Sequence, residues 1–99
     1  MTPEQQRIWN YLINNCIGYN NAQSVSIIAH ACGYADHGTN NDDFRATVTD
    51  MIVNHNKPIG SSRNGYFIIT TEEDRQRAIN WIDRDKKVDA LRNVQLYQP

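Results

Sequence analysis

Residues 57–73 constrain the fold of this chain more than any other stretch. The pair Asn64-Gly65 is typical of a type I′ hairpin turn, because both central positions need positive φ, which Gly adopts freely and Asn tolerates. Residues 66–69 are aromatic or β-branched and suit a pleated strand. Residues 70–74 then supply cap oxygens and first-turn carboxylates for a helix. We therefore predict strand, tight turn, strand and helix, in that order.

A single hairpin is not stable in water by itself, so helices must cover it. The first is predicted to start at Thr2 and to end by Gly18. A short polar connector, residues 20–23, follows and can hold one or two residues of strand. Ser24 or Ser26 can cap a short second helix, which Gly33 ends.

The third helix is predicted from Asn41, as its cap, to an exit before Pro58. Its apolar residues recur at i, i+4, i+7 and i+8 and predict one buried face, formed by Phe44, Val48, Met51 and Ile52. The opposite face presents Arg45 and Thr49.

One long final helix is predicted from about Glu72 into the low nineties. A core of this size is used up by about Ile82, so we expect a domain of residues 1–84 and a helical extension of residues 85–99. The extension has two interpretations. It is either a solvated tail or a dimerisation helix that buries apolar side chains against a twofold partner, namely Trp81, Val88 and Leu91.

The composition is that of one ordinary soluble domain: 99 residues, 39% hydrophobic and a net charge of −1. No apolar run approaches the ~20 residues needed to cross a bilayer. The start of the chain lacks a signal-peptide pattern. We therefore expect a cytoplasmic protein with no membrane partner.

The order of the elements resembles that of a winged helix-turn-helix domain of small phage and prophage proteins. The motifs resemble such a domain in the run that begins at Phe44-Arg45, continues through residues 57–68 and ends at the acidic helix start. The order matches over residues 4–84, and the motifs match over residues 44–74 only. The resemblance implies a mainly α fold with a small β-hairpin (α+β), consisting of a three-helix core, a wing and a long C-terminal helix.

The resemblance also implies double-stranded DNA as the partner, with the third helix in the major groove and the wing on the backbone or minor groove. The implied DNA contacts are Arg45, Thr49, Lys57, Ser62, Arg63 and Asn64. Asp42 and Asp43 depart from this pattern, because they stand at the start of the third helix and repel phosphate. Any affinity must come from a few well-placed cations, since the chain has no general positive field.

Other chemistry finds little support in the residues. The metal-capable side chains Cys16, His30, Cys32 and His37 match no zinc spacing, and no phosphate loop or nucleophile elbow is present. Two cysteines make no disulfide framework. We expect no catalysis, no metal and no cofactor.

Two hypotheses follow. The first is a non-enzymatic DNA-binding protein, a phage-type regulator of transcription or replication working in the host cytoplasm. The second is a winged-helix module that binds a protein, for example as an inhibitor or adaptor of a host protein. A basic stripe gathering Arg7, Arg45, Lys57 and Arg63 would favour DNA, and dispersed positive charge would favour a protein partner.

Overall fold

The computed structural model describes residues 1–34, 41–82 and 86–98. Over these ranges the fold is mainly helical with one antiparallel two-stranded hairpin, which is an α+β arrangement. The elements are α1 (Pro3–Asn15), a 3₁₀ turn (Tyr19–Asn21), α2 (Val25–Ala31), α3 (Asp42–His55), β1 (Ile59–Ser62), β2 (Gly65–Ile68), α4 (Glu72–Trp81) and α5 (Lys86–Asn93). None of the helices in these ranges has the length and apolarity that crossing a membrane demands.

The first two helices begin where the sequence predicts. Thr2 Oγ1 accepts a hydrogen bond from the Gln5 amide at 3.1 Å, and the Gln5 side chain accepts one from the Thr2 amide at 3.0 Å. This reciprocal capping box satisfies two donors at the start of α1. Ser24, and not Ser26, caps α2 by accepting from the Ile27 amide.

Helix α3 begins differently from the prediction. Asn41 holds the N-cap position, but its backbone is left-handed (φ 57°) and its side chain accepts no capping hydrogen bond. Its side-chain Nδ2 instead donates to Ser26 Oγ at 3.5 Å. Asp42 and Asp43 lie in the first turn, where their negative charges interact favourably with the positive end of the helix dipole. The helix ends at His55, before Pro58 as predicted, with Asn56 left-handed at the C-cap.

The hairpin turn lies one residue earlier than a type I′ turn on Asn64-Gly65 requires. Ser62 pairs with Gly65, so Arg63 and Asn64 form the two-residue loop. Within the turn, positive φ occurs at Gly65 (116°) and not at Asn64. The type I′ prediction is therefore wrong. The turn is a two-residue loop followed by a single Gly that takes the positive φ.

The free edge of β2 pairs with the connector between α1 and α2. The Gln23 amide donates to the Tyr66 carbonyl at 3.2 Å, and the Tyr66 amide donates to the Gln23 carbonyl at 2.9 Å. Further along, the Gly18 amide donates to the Ile68 carbonyl at 2.9 Å. The strand residue expected in the connector is thus present, and it fixes the start of α2 beside the hairpin tip.

The hairpin is covered on both faces. One face meets the core built from Ile8 and Leu12 of α1 and the predicted apolar face of α3, all of which are buried. The other face meets α4 so closely that a Cβ at Gly60 would lie 2.8 Å from that of Ala78. Only the tip of the hairpin remains exposed.

The prediction of a single long C-terminal helix is wrong. Helix α4 ends at Trp81, Ile82 is extended (φ −89°, ψ 121°), and α5 begins at Lys86. Helix α5 packs on α3 and α4. Leu91 is fully buried and Val94 is 4% exposed, so the core extends well beyond Ile82.

These contacts also correct the expected surface for a twofold partner. Val88 and Leu91 are buried by their own chain, whereas Trp81 is 55% exposed. The described part of residues 85–99 belongs to the same core. It is tied there by Arg75 Nη1, which donates to the Val94 carbonyl at 2.9 Å, and by the Tyr97 amide, which donates to the Ile69 carbonyl at 2.9 Å.

Candidate nucleic-acid interface

A depression beside the hairpin tip brings together four of the six predicted DNA contacts: Arg45, Ser62, Arg63 and Asn64. We call it the tip depression. Its other lining residues come from the start of α2, the hairpin and the end of α4, and they are Ser24, Val25, Ser26, Ser61, Gly65, Tyr66, Trp81 and Ile82. With Arg45 from α3, four separate parts of the chain therefore form its walls.

Arg45 reaches the tip depression from the first turn of α3. It is exposed, and its guanidinium lies near the hydroxyl of Tyr66, a residue only 2% exposed. Burial raises the pKa of Tyr66, and the charge and hydrogen bond of Arg45 partly offset that effect. With Tyr66 2% and Phe67 0% exposed, neither ring is available to stack on a base.

The turn itself is braced by Ser62. Its hydroxyl donates to the Gly65 carbonyl at 3.3 Å and accepts from the Asn64 amide at 3.2 Å. Arg63 and Asn64 are thereby held exposed at the tip. Ser62 stabilises the turn, and its hydroxyl already acts both as a hydrogen-bond donor and as an acceptor.

A second depression adjoins the hairpin tip and shares Ser62, Arg63 and Trp81 with the first. Its remaining lining residues are Tyr19, Arg77 and Asn80. The Arg77 guanidinium lies 4.3 Å from the centre of the Tyr19 ring. Arg77 Nη2 is also 3.0 Å from Glu73 Oε1.

The described residues that line the two depressions include three arginines, Arg45, Arg63 and Arg77, and no acidic residue. This is a local excess of positive charge on a chain whose net charge is −1. Sequence reasoning missed Arg77 and placed Trp81 in a dimer contact. The available signal was their i, i+4 spacing, which puts both on one face of α4.

Two predicted DNA contacts lie outside the tip depression. Thr49 is one turn further along α3, and its hydroxyl donates to the Arg45 carbonyl at 2.9 Å. The Lys57 ammonium lies 4.7 Å from the centre of the Trp9 ring, near the base of the hairpin. Arg7 Nη1 donates to the Cys32 carbonyl at 3.0 Å. The four cations considered from the sequence therefore do not form one stripe.

The cysteines are buried. Burial is the main cause that raises the pKa of Cys16 to about 11, and burial likewise raises the pKa of Cys32. Within the described ranges no three His, Cys, Asp or Glu side chains group as a metal site would require. His37 lies outside the described residues.

Comparisons of the chain with protein-family models, with curated proteins and with solved structures found no match.

Proposed function

We propose that this chain is a winged helix-turn-helix protein that binds double-stranded DNA without catalysis, as a small phage-type regulator of transcription or replication. The observation that carries the proposal is the joint placement of Arg45, at the start of α3, and Arg63, at the hairpin tip, on one depression without a described acidic side chain. The order α2, α3, hairpin agrees with such a domain.

In this arrangement α3 enters the major groove and the hairpin tip follows the backbone. Arg45 is then placed to read a guanine edge with its two parallel donors. Arg63 and the Asn64 side chain contact phosphate or the minor groove. Thr49, one turn further along α3, can meet the same groove, whereas Lys57 is held on Trp9 and contributes less than the sequence implied.

The charges limit the strength of binding. Arg45, Arg63 and Arg77 offer two or three phosphate contacts, so the slope of log K against log salt should be about −2 to −3, at −0.9 per contact. We expect a Kd for random duplex on the order of 10⁻⁴ to 10⁻⁵ M, with tighter binding only at a specific site.

A second candidate function is a module that binds a protein partner. Two observations favour it: Arg7 and Lys57 are engaged away from the tip depression, and Asp42 and Asp43 are exposed in the first turn of α3. Those carboxylates repel phosphate. An acidic protein surface could meet Arg45 and Arg63 with a smaller total charge than DNA carries.

The deciding experiment is a fluorescence-anisotropy titration of the full chain with a blunt random-sequence duplex at low and moderate salt. The double variant Arg45→Ala/Arg63→Ala should weaken binding at least about tenfold, since two phosphate contacts are lost. Arg92→Ala is the matched control, because Arg92 is an exposed arginine on α5 that lines neither depression. Equal affinities of the double variant and the wild type, or no binding at low salt, would overturn the proposal in favour of a protein partner.

A further inference from the structure

Trp81 occupies an unusual place on the surface. It is 55% exposed at the end of α4, and it lines both depressions beside the hairpin tip. We propose that Trp81 is a stacking platform for an unpaired base, and that the protein binds DNA with a single-stranded segment more tightly than blunt duplex. This inference rests on the proposed DNA binding and adds the class of DNA that the site prefers.

The contrast with the other tryptophan supports a role for Trp81 outside the core. Trp9 is covered on its face by the Lys57 ammonium, 4.7 Å from the ring centre, and meets the Tyr97 ring edge to face at 5.7 Å. A lone exposed apolar side chain would need no explanation. Trp81 differs because arginines line the same depressions with it.

Arg63 and Arg77 are two of these arginines. Arg63 shares both depressions with Trp81, and Arg77 stands one helical turn before Trp81 on the same face of α4. An aromatic ring that lines a depression together with two arginines matches a nucleotide, whose base can stack while its flanking phosphates meet the arginines. The absence of acidic residues from the described linings completes the charge match.

The position of Arg77 is fixed before any ligand arrives. Its guanidinium lies over the Tyr19 ring, and Tyr19 in turn packs edge to face on Phe67 at 5.5 Å. Glu73 also holds Arg77 and offsets part of its charge. Among the described residues no acidic side chain forms an ion pair with Arg63, so Arg63 should contribute more to phosphate binding than Arg77 does.

The base must be unpaired because paired bases in a duplex already stack on one another. A blunt duplex presents mainly phosphate and groove edges to this surface. The Trp81 ring cannot stack on a phosphate group. A single-stranded segment offers the flat face of a base. Stacking on one aromatic side chain should then tighten binding by about tenfold.

The test compares one short duplex in two forms, blunt and with an overhang of about six nucleotides. In the full-length Trp9→Phe variant, Trp81 is the sole tryptophan, so its fluorescence reports stacking directly. We expect quenching by the overhang DNA only, and about tenfold tighter binding of that DNA by anisotropy. If Trp9→Phe fails to fold, the difference between wild type and Trp81→Ala gives the same signal.

Trp81→Ala should abolish the preference for the overhang, so that the ratio of the two affinities falls to about one, and Trp81→Phe should restore part of the preference. Equal affinity for the two DNA forms, with no quenching, would overturn the inference and leave the proposed function standing. Loss of binding to both forms in the wild type would overturn the proposed function, and this inference with it.

Discussion

The α-carbon of Gly65 lies so close to the backbone of Gln23 that a Cβ at position 65 would stand 1.7 Å from the Gln23 carbonyl oxygen. The contact comes from the pairing of Gln23 with Tyr66, and it joins the hairpin tip to the start of α2. Both form walls of the tip depression. A side chain at position 65 would therefore disturb the fold and the candidate site together.

Replacing Gly65 should be costly for two reasons, the positive φ of 116° and the clash with Gln23 backbone. We expect Gly65→Ala to lower the free energy of unfolding by about 2–4 kcal/mol, and Gly65→Val by at least as much. Gly33→Ala is the control, since Gly33 also has positive φ, but among the described residues a Cβ there would meet only the flexible end of Arg7 at 3.2 Å. Urea titrations of both variants give the comparison, in which Gly33→Ala should lower the free energy of unfolding by about 1–2 kcal/mol. Equal costs would show that the Gln23 contact relaxes freely.

Leu91→Ala tests whether α5 belongs to the core. Because Leu91 is fully buried, the substitution should lower the free energy of unfolding by about 2–5 kcal/mol. Ile27→Ala, at an α2 side chain that is 56% exposed, should stay within about 0.5 kcal/mol of wild type. If α5 served a twofold partner instead, Leu91→Ala would lower the sedimenting mass and leave the unfolding midpoint in place.

Asp74 should make stability depend on acid pH. Burial raises its pKa, but hydrogen bonds from the Thr70 amide and hydroxyl and from the Tyr19 amide outweigh that effect, so the pKa lies below its usual range. The stabilisation is complete above the unfolded-state pKa of about 3.9 and is lost as pH falls through the lower folded-state value. Asp74→Asn should cost about 1.5–3 kcal/mol near neutral pH and progressively less below pH ~4.

Asp89→Asn is the control for Asp74, because it makes the same chemical change at an exposed residue of α5. Thermal melts of the two variants across acid and neutral pH give the comparison. A constant difference between Asp74→Asn and wild type at every pH would contradict the assignment of the acid dependence to this carboxylate.

The thiols should be unreactive in the folded protein. Cys16 is fully buried with a pKa of about 11, and Cys32 is 2% exposed. Only the thiolate attacks an electrophile, so alkylation near pH 8 should proceed at the rate of unfolding and accelerate sharply in denaturant. Rapid labelling of either thiol in native buffer, followed by mass spectrometry, would show that α1 or α2 opens locally.

Arg45 and Arg63 should differ in what they contribute to DNA binding. If the proposed DNA complex forms, Arg63→Ala removes a backbone contact and should weaken all duplex sequences alike, with the salt slope shallower by about 1. Arg45→Ala should in addition relax any sequence preference, because a base-reading arginine contributes about 1–3 kcal/mol of discrimination. Competition among duplexes of different sequence separates the two effects. Identical profiles for the two variants would remove Arg45 from base recognition.

The sequence by itself determined where most elements begin and end. Thr2, Ser24 and Asn56 act through groups a few positions away, so local chemistry is enough to place helix ends near them. The apolar face of α3 is equally local, since helical periodicity decides it. The same local patterns predicted correctly that Arg45 and the hairpin tip are exposed.

Tertiary structure decided what no local pattern contains. Gly65 takes a positive φ beside the pairing of Tyr66 with Gln23, and the turn lies one residue earlier than the sequence predicted. The break after Trp81 lets α5 return to α3 and α4, which buries Leu91 and leaves Trp81 exposed beside Arg63. The Lys57 ammonium lies over the ring of Trp9 and away from the tip. These contacts join residues far apart in the chain, so their geometry depends on how whole elements pack.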